Sequence, residues 1–413
     1  MGSIKDRCSI NANIEEDVFV GIECLDNDVK VHFPIGYKLS DDDKEIRRDI
    51  MLLIQCLSKN TTHKYSELDV QDSDINISKF PMQSYIYVIH DFYERGYYKE
   101  RETQYHLAKK GKISWSKTIK RVKPYFQDDE AFYLDFVTKK NTINDNELIT
   151  LVHEYCVFES FDKIGWLFTD AMPKKPRMKF NKKYFQSIIY EKLNHTFNDR
   201  NIKLFKNMLA IIEQRGSDDE DKEYQYGTYK FHYVWENMIN QVFGVDNREY
   251  FYPKTSWKLG TRTYEVEDYE NSSLRPDTIM FYGDDIYVLD AKYYRFAAYK
   301  NPGALPKSTD INKQITYGEY IAEQKKFRDK YGEAYKVYNA FIMPFDSQAD
   351  NWEEADDIVY SIGSATGNWK DNLKEYENIQ GIMLDVKYLM NLTVREDMVE
   401  IERMAKCILE KFN

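Results

Sequence analysis

Cysteine is scarce in this 413-residue chain: Cys8, Cys24, Cys56, Cys156 and Cys407 form an odd, scattered set with no close pair. That excludes a disulfide framework and a zinc ribbon, and it fits a reducing, cytoplasmic setting. The seven histidines show no metal-ligand spacing. No apolar run approaches the length that crosses a bilayer and no signal-peptide core is present, so no membrane association is expected. Gly-x-Gly-x-x-Gly, Gly-x-Ser-x-Gly and His-Glu-x-x-His are all missing. The stretch from Gly303 to Thr309 superficially resembles a phosphate loop, but no glycine immediately precedes Lys307 and no strand is expected to enter it. Positive charge is also in deficit, with 58 Lys and Arg against 69 Asp and Glu, a net charge of −11. Phosphate contacts need Lys and Arg, so a tight, autonomous grip on nucleic acid is not the expectation from the sum.

What is present centres on residues 274 to 295. Asp277 opens a short apolar strand through Tyr282, Gly283-Asp284-Asp285 supplies turn chemistry, and Ile286 to Leu289 make a second strand closed by Asp290 and Lys292. A separation of two places Asp290 and Lys292 on one face, because successive side chains of a strand alternate. Asp-x-Lys alone is weak evidence. Asp290, however, ends a run of four apolar residues, where a solvated charge is not the default. Phosphodiester hydrolysis needs a divalent cation, and Mg²⁺ takes hard oxygen ligands while keeping several waters. Asp277 and Asp290 supply two carboxylates and the Ala291 carbonyl a third oxygen, while Lys292 orients or helps deprotonate water and offsets transition-state charge.

Upstream, apolar residues at 231, 234, 235, 238, 239, 242 and 243 form a helical stripe ended by Gly244. Glu236 sits at the border of that stripe. It reads either as an additional ligand of the metal or of its water, or as a solvated glutamate at the stripe edge.

Trp235-Glu236, Leu274-Arg275-Pro276-Asp277 and Leu289-Asp290-Ala291-Lys292, in this order, resemble the PD-(D/E)XK nuclease superfamily. With the block from Gly303 to Tyr317 the resemblance extends to LlaJI-type restriction endonucleases and McrC-like nuclease subunits. The segment from Val18 to Tyr37 and the helix expected from about Asp41 to Lys59 resemble the start of LlaJI-type chains. The resemblance implies a mixed α/β domain with a sheet flanked by helices, Mg²⁺ (with Mn²⁺ able to substitute), double-stranded DNA as substrate, and an McrB-like GTPase or AAA+ partner. It also implies Gln314 and Tyr317 near the scissile phosphate. They stand three apart on one helix face, where the commoner pattern spaces them by four, and Tyr317 reads equally as a core residue. Cutting both strands needs two active sites or two events, so a transient dimer is an expectation.

The chain divides into a small β-rich unit plus helix at 1–60, a mostly helical DNA- or partner-binding region at 61–215, and a nuclease domain at 224–413 behind the acidic stretch that follows Gly216. Helical patterns cover 145–168 and 183–214. The basic run from Lys109 to Lys123 contains Lys112, Lys117, Lys120 and Arg121 and is expected to end a winged-helix-like unit that meets the DNA backbone, or to be a solvated face. A second basic run spans Lys174 to Lys183. Strands are expected at 337–345 and 381–390, with a last helix at 395–412. Leu384-Asp385-Val386-Lys387 repeats the Asp-x-Lys spelling without a partnering Pro-Asp close upstream, and is set aside. The contrasting classes are a non-catalytic scaffold subunit that keeps the fold, and a repair or RNA nuclease using the same centre.

Overall fold

The computed structural model describes residues 3–10, 18–25, 28–62, 80–127, 130–144, 147–215, 223–255, 274–353, 355, 357–395 and 400–409. The acidic boundary at 216–222 and residues 63–79 lie outside these. The chain forms two compact units, Met1–Lys79 with Glu223–Asn413, and Phe80–Lys222. The N-terminal segment is therefore part of the same unit as the C-terminal region, where the sequence reading separated 1–60 from 224–413.

In the first unit, β1 (Cys8–Ile10) pairs parallel to β3 (Asp28–Phe33), and β3 pairs antiparallel to β2 (Val20–Leu25). Val29, Val31 and Phe33 point inward and Asp28 and Lys30 outward, the two-residue period of a half-buried strand. Helix α1 (Asp43–Thr62) buries Ile46, Ile50, Leu53 and Leu57 along one stripe.

The second unit comprises α2 (Met82–Arg95), β4 (Glu100–Ala108), β5 (Lys112–Ile113), α3 (Trp115–Arg121), β6 (Tyr125–Gln127), β7 (Glu130–Phe132), β8 (Phe136–Asn144), α4 (Leu148–Ile164), α5 (Lys182–His195) and α6 (Asp199–Gln214). Strands β4, β8 and β5 make one sheet and β6 and β7 a ribbon, so this region carries more strand than the mostly helical expectation. The helical pattern read across 183–214 is broken in two, because the Asn198 side chain accepts from the Asn201 N–H at 3.1 Å and starts a new helix. Arg200 holds α6 on α2 with a bidentate pair to Asp91, 2.9 and 2.7 Å.

The chain then returns to the first unit. Strand β9 (Tyr224–Thr228) pairs antiparallel to β2, completing the order β1-β3-β2-β9. Gly21 faces Gly227 across that pair, and a Cβ on Gly21 would lie 2.2 Å from the Tyr226 carbonyl oxygen. There follow α7 (Phe231–Phe243), β10 (Thr278–Tyr282), β11 (Asp285–Ala291), α8 (Phe296–Tyr299), α9 (Ser308–Glu323), α10 (Lys325–Tyr331), β12 (Val337–Phe345), β13 (Val359–Ala365), β14 (Ile379–Asp385), α11 (Val386–Arg395) and α12 (Ile401–Leu409). The strands form a mixed five-stranded sheet, β10-β11-β12-β14-β13, parallel at its centre and antiparallel at both edges. Strand β12, the middle one, is buried along its whole length. Ile279, Val288, Ile315, Ile321 and Phe327 belong to the core cluster that packs α9 and α10 on the sheet.

Two expectations are corrected here. The strand read to 390 stops at Asp385, whose carboxylate accepts from the Tyr388 N–H at 2.8 Å and starts α11. Of the last helix expected at 395–412, Arg395 belongs to α11 and Ile401–Leu409 form α12, while 396–399 and 410–412 lie outside the described residues.

Candidate active site

The site is built from the middle of α7 and the open end of the β10–β11 hairpin in the first unit. Helix α7 buries the seven apolar positions of its stripe. Trp235 is fully buried and donates from Nε1 to the Ile342 carbonyl at 3.3 Å, which locks the helix against β12 and fixes the orientation of the adjacent Glu236. The β10–β11 hairpin closes through Gly283, whose φ of 60° a turn residue supplies at no steric cost. Its register starts with Thr278 opposite Leu289, so Asp277 stands just before β10 and Asp290 follows Leu289 on β11. Asp277 is fixed from both sides: its Oδ2 accepts from the Ala291 N–H at 2.8 Å, and its carbonyl accepts from Arg248 Nη1 at 2.7 Å.

Asp290 is only 3% exposed. Its Oδ2 lies 2.6 Å from Lys292 Nζ, and the same ammonium is 3.1 Å from Asp310 Oδ1. Lys292 stands beyond the last residue of β11 and keeps the register of the parallel pair, donating its N–H to the Ile342 carbonyl at 2.8 Å.

The electrostatics follow from crowding acids in a place short of water. Burial first, then the charge on Asp290, push the Glu236 carboxyl from 4.5 up to about 7. Burial, Asp290 and Glu236 push Asp277 well above the usual carboxylate range. Asp290 is also raised, by burial, against the pull of Lys292. Burial opposes the charge on Lys292, but Asp290 and Asp310 overcome it and hold the ammonium above its ordinary value.

Such a centre fits a divalent cation. Asp277 commits Oδ2 to the Ala291 N–H and keeps a second oxygen. Asp290 Oδ2 is buried with the Lys292 ion pair and no hydrogen bond among the described residues, and the charge on Asp290 raises both Asp277 and Glu236 in a way that a cation offsets. Among the described residues no three His, Cys, Asp or Glu side chains gather as a ready-made metal cluster. A donor set of two carboxylates and the Ala291 carbonyl matches Mg²⁺, which keeps several of its waters. Glu236 then fits a role through such a water.

A cleft of about 820 Å³ opens beside the centre. Glu236, Ala291 and Lys292 line it together with Arg295, Asn301 and Lys307, whereas Asp277 and Asp290 do not. Its apolar wall includes Val18, Val20 and Ile35 from the N-terminal segment, which is tied in by the Ile35 N–H donating to the Tyr293 hydroxyl at 2.8 Å.

The other sequence candidates fall as follows. Gln314 is buried and donates from Nε2 to the Val288 carbonyl at 2.7 Å, so this donor is spent on the sheet. Tyr317 is buried and donates to the Arg275 carbonyl at 3.0 Å, holding the loop that leads to Asp277. Lys112, Lys117, Lys120 and Arg121 lie on β5 and α3 of the second unit; all but the half-buried Lys117 are exposed, and Lys117 Nζ sits 3.2 Å from the Tyr105 ring centroid. The Asp385 and Lys387 decoy is structural: Asp385 starts α11, and Lys387 pairs with the buried Asp49 of α1 at 2.8 Å. Sequence reasoning missed Asp310, Arg248 and Lys313, the last of which lowers both Glu236 and Asp290. Asp310 had a readable signal, an acid in the first turn after Ser308-Thr309. The helix begins at Ser308 with Lys307 in the cap position, and Asp310 Oδ2 accepts from the Lys307 N–H at 3.1 Å.

The LlaJI restriction endonuclease profile matches residues 19–362, most of the chain. The chain belongs to that family. The match takes in β2, the whole second unit, α7, the hairpin and β12. The chain is also similar to component YdjA of the type II restriction enzyme BsuMI of Bacillus subtilis strain 168, at 26% identity over 273 residues, 62% of this chain and 57% of that protein. The matched part therefore spans little more than half the length of the relative. Among solved structures, the assembly of Thermococcus gammatolerans McrB AAA+ hexamers with bound McrC is similar at 14% identity and a TM-score of 0.35, covering 91% of this chain and 81% of that one.

Proposed function

We propose that this LlaJI-family chain is a Mg²⁺-dependent DNA endonuclease of the PD-(D/E)XK type, the cleavage subunit of a restriction system. The observation that carries the reading is the hairpin end, where Asp277 Oδ2 accepts from the N–H of Ala291, the residue after Asp290, at 2.8 Å, and Lys292 Nζ lies 2.6 Å from Asp290, beside an open cleft. Asp277, Asp290 and the Ala291 carbonyl would hold the cation, with Glu236 assisting and Mn²⁺ able to substitute. When bound, Mg²⁺ supplies Lewis acidity at the phosphoryl oxygen and acidifies its water. Lys292, kept protonated by its two carboxylate neighbours, orients the attacking water and offsets negative charge on the phosphorane-like transition state. Arg295, Asn301 and Lys307 give the cleft the cationic and amide donors that phosphate oxygens accept from.

A net charge of −11 and a relative named as one component of a restriction enzyme support a subunit delivered to double-stranded DNA by a partner, of the nucleotide-hydrolysing McrB-like class. Double-strand cutting then calls for a transient dimer of nuclease units. Cleavage of supercoiled plasmid, with and without the genomic-neighbour protein and nucleotide, tests the reading. Cutting should need Mg²⁺ or Mn²⁺, stop with EDTA, and fall at least about a hundredfold in Lys292→Ala without loss of folding. Undiminished cutting by pure, folded Lys292→Ala would sink the assignment.

A further inference from the structure

We infer that Asp310 is a positioning residue that draws the Lys292 ammonium aside when a divalent cation enters the centre. This rests on the metal-dependent reading above and adds a residue to it. In the structure Lys292 Nζ bridges two acids, Asp290 Oδ2 at 2.6 Å and Asp310 Oδ1 at 3.1 Å. Asp290 is the buried partner and the proposed cation ligand, and an ammonium and a divalent cation repel each other on one carboxylate. Lys292 must loosen its hold on Asp290 for the cation to bind. An acceptor already in contact lets it do so without stranding its charge in a poorly hydrated place. The side chains of Lys292 and Asp310 are only 14% and 22% exposed, so their contact is not a water-screened surface bridge.

Asp310 is held for this task by the helix that carries it. Its Oδ2 is engaged by the Lys307 N–H, which turns Oδ1 toward Lys292. Helix α9 is in turn fixed on the sheet by Gln314 to Val288, by Tyr317 to Arg275, and by the buried Ile315 and Ile321. The acid thus reports to the hairpin through a rigid element, not through a loop.

The test is Ca²⁺ binding by titration calorimetry on the full chain, which requires no turnover, for the wild type, Asp310→Asn, Lys292→Ala and the double variant. Asparagine keeps an oxygen for the Lys307 N–H and puts an amide NH2 where Oδ1 accepts from Lys292, so the charge and that acceptor go together. Asp310→Asn is expected to weaken Ca²⁺ binding about tenfold, because Lys292 then stays on Asp290 and competes with the cation. In the Lys292→Ala background the same substitution should change affinity by less than about twofold, the non-additivity of a cycle whose two residues act together. Asp310→Glu, which retains the charge, should restore most of the affinity, and thermal melting confirms that each variant folds. Equal weakening in both backgrounds would mean that Asp310 acts by its own attraction for the cation, and would overturn the inference; so would unchanged affinity in Asp310→Asn. If the wild type itself binds neither Ca²⁺ nor Mn²⁺, the metal reading fails and the inference with it, which the wild-type titration alone reveals.

Discussion

Glu236→Gln should make the metal-free protein more stable, and by an amount that depends on pH. The Glu236 carboxyl is raised from 4.5 to about 7 by burial and by Asp290, so the folded chain binds this proton more tightly than the unfolded chain does. The resulting contribution is most favourable below pH 4.5, drains away as pH rises toward 7, and is a full cost above that. At about 1.4 kcal/mol per tenfold change in proton affinity, the cost at pH 8 is about 3 kcal/mol, and at pH 5 it is under about 1 kcal/mol. Glutamine removes the charge while keeping the shape. In EDTA at pH 8 the variant should therefore gain about 3 kcal/mol in a urea melt, or about 6 °C in melting temperature for a unit of this size, and most of the gain should vanish at pH 5. Added Mg²⁺ should erase the advantage, since a cation favours the ionised acids of the wild type. No gain at pH 8 would refute the account of the crowded carboxylates, and an equal gain at both pH values would assign the effect to packing instead of charge.

The remaining predictions concern the helix seat and the second unit. Gly318→Ala places a Cβ 2.6 Å from Asn339 Nδ2 and 2.6 Å from Tyr376 Cβ, where Asn339 donates to the Gln314 carbonyl at 3.0 Å, so a loss of about 1–3 kcal/mol is expected in denaturant melts. Wild-type stability in that variant would show that α9 can lift from the sheet without cost. Replacing Lys112, Lys117, Lys120 and Arg121 with glutamine should weaken duplex binding and lower the slope of log affinity against log salt by up to about 3 to 4. An unchanged slope would show that β5 and α3 do not meet the phosphate backbone.

Much of the sheet was legible in the sequence, because its elements announce themselves over short distances. The stripe from Phe231 to Phe243 coincides with α7, the hairpin strands lie within a residue or two of those read, and β12 runs over the expected 337–345. What failed has two causes: a segment whose spelling allows two structures until one local bond forms, and strands whose partners are distant in sequence. Leu384 to Met390 satisfies both a strand and a helix, and a single capping hydrogen bond from Tyr388 to Asp385 settles it. Strands β4 and β8 carry polar and charged residues that read poorly until they pair with each other along nine positions. At the candidate site, the acids and the lysine were visible as spacing, but Asp310 was not, because it reaches Lys292 only through the placement of α9.

The pairing of Val20 with Thr228 also bears on how the polypeptide comes off the ribosome. Strand β2 is synthesised early, yet its partner β9 follows the entire second unit, so β2 exposes an open edge while the intervening chain is made. At about 5–20 residues per second that wait is on the order of 10–40 s, long enough for the second unit to fold first. A newborn chain therefore carries a bare strand edge, a template for aggregation, until β9 arrives to cover it. Nascent chains arrested before residue 224 should accordingly lean on chaperones in a way that chains arrested well beyond it do not.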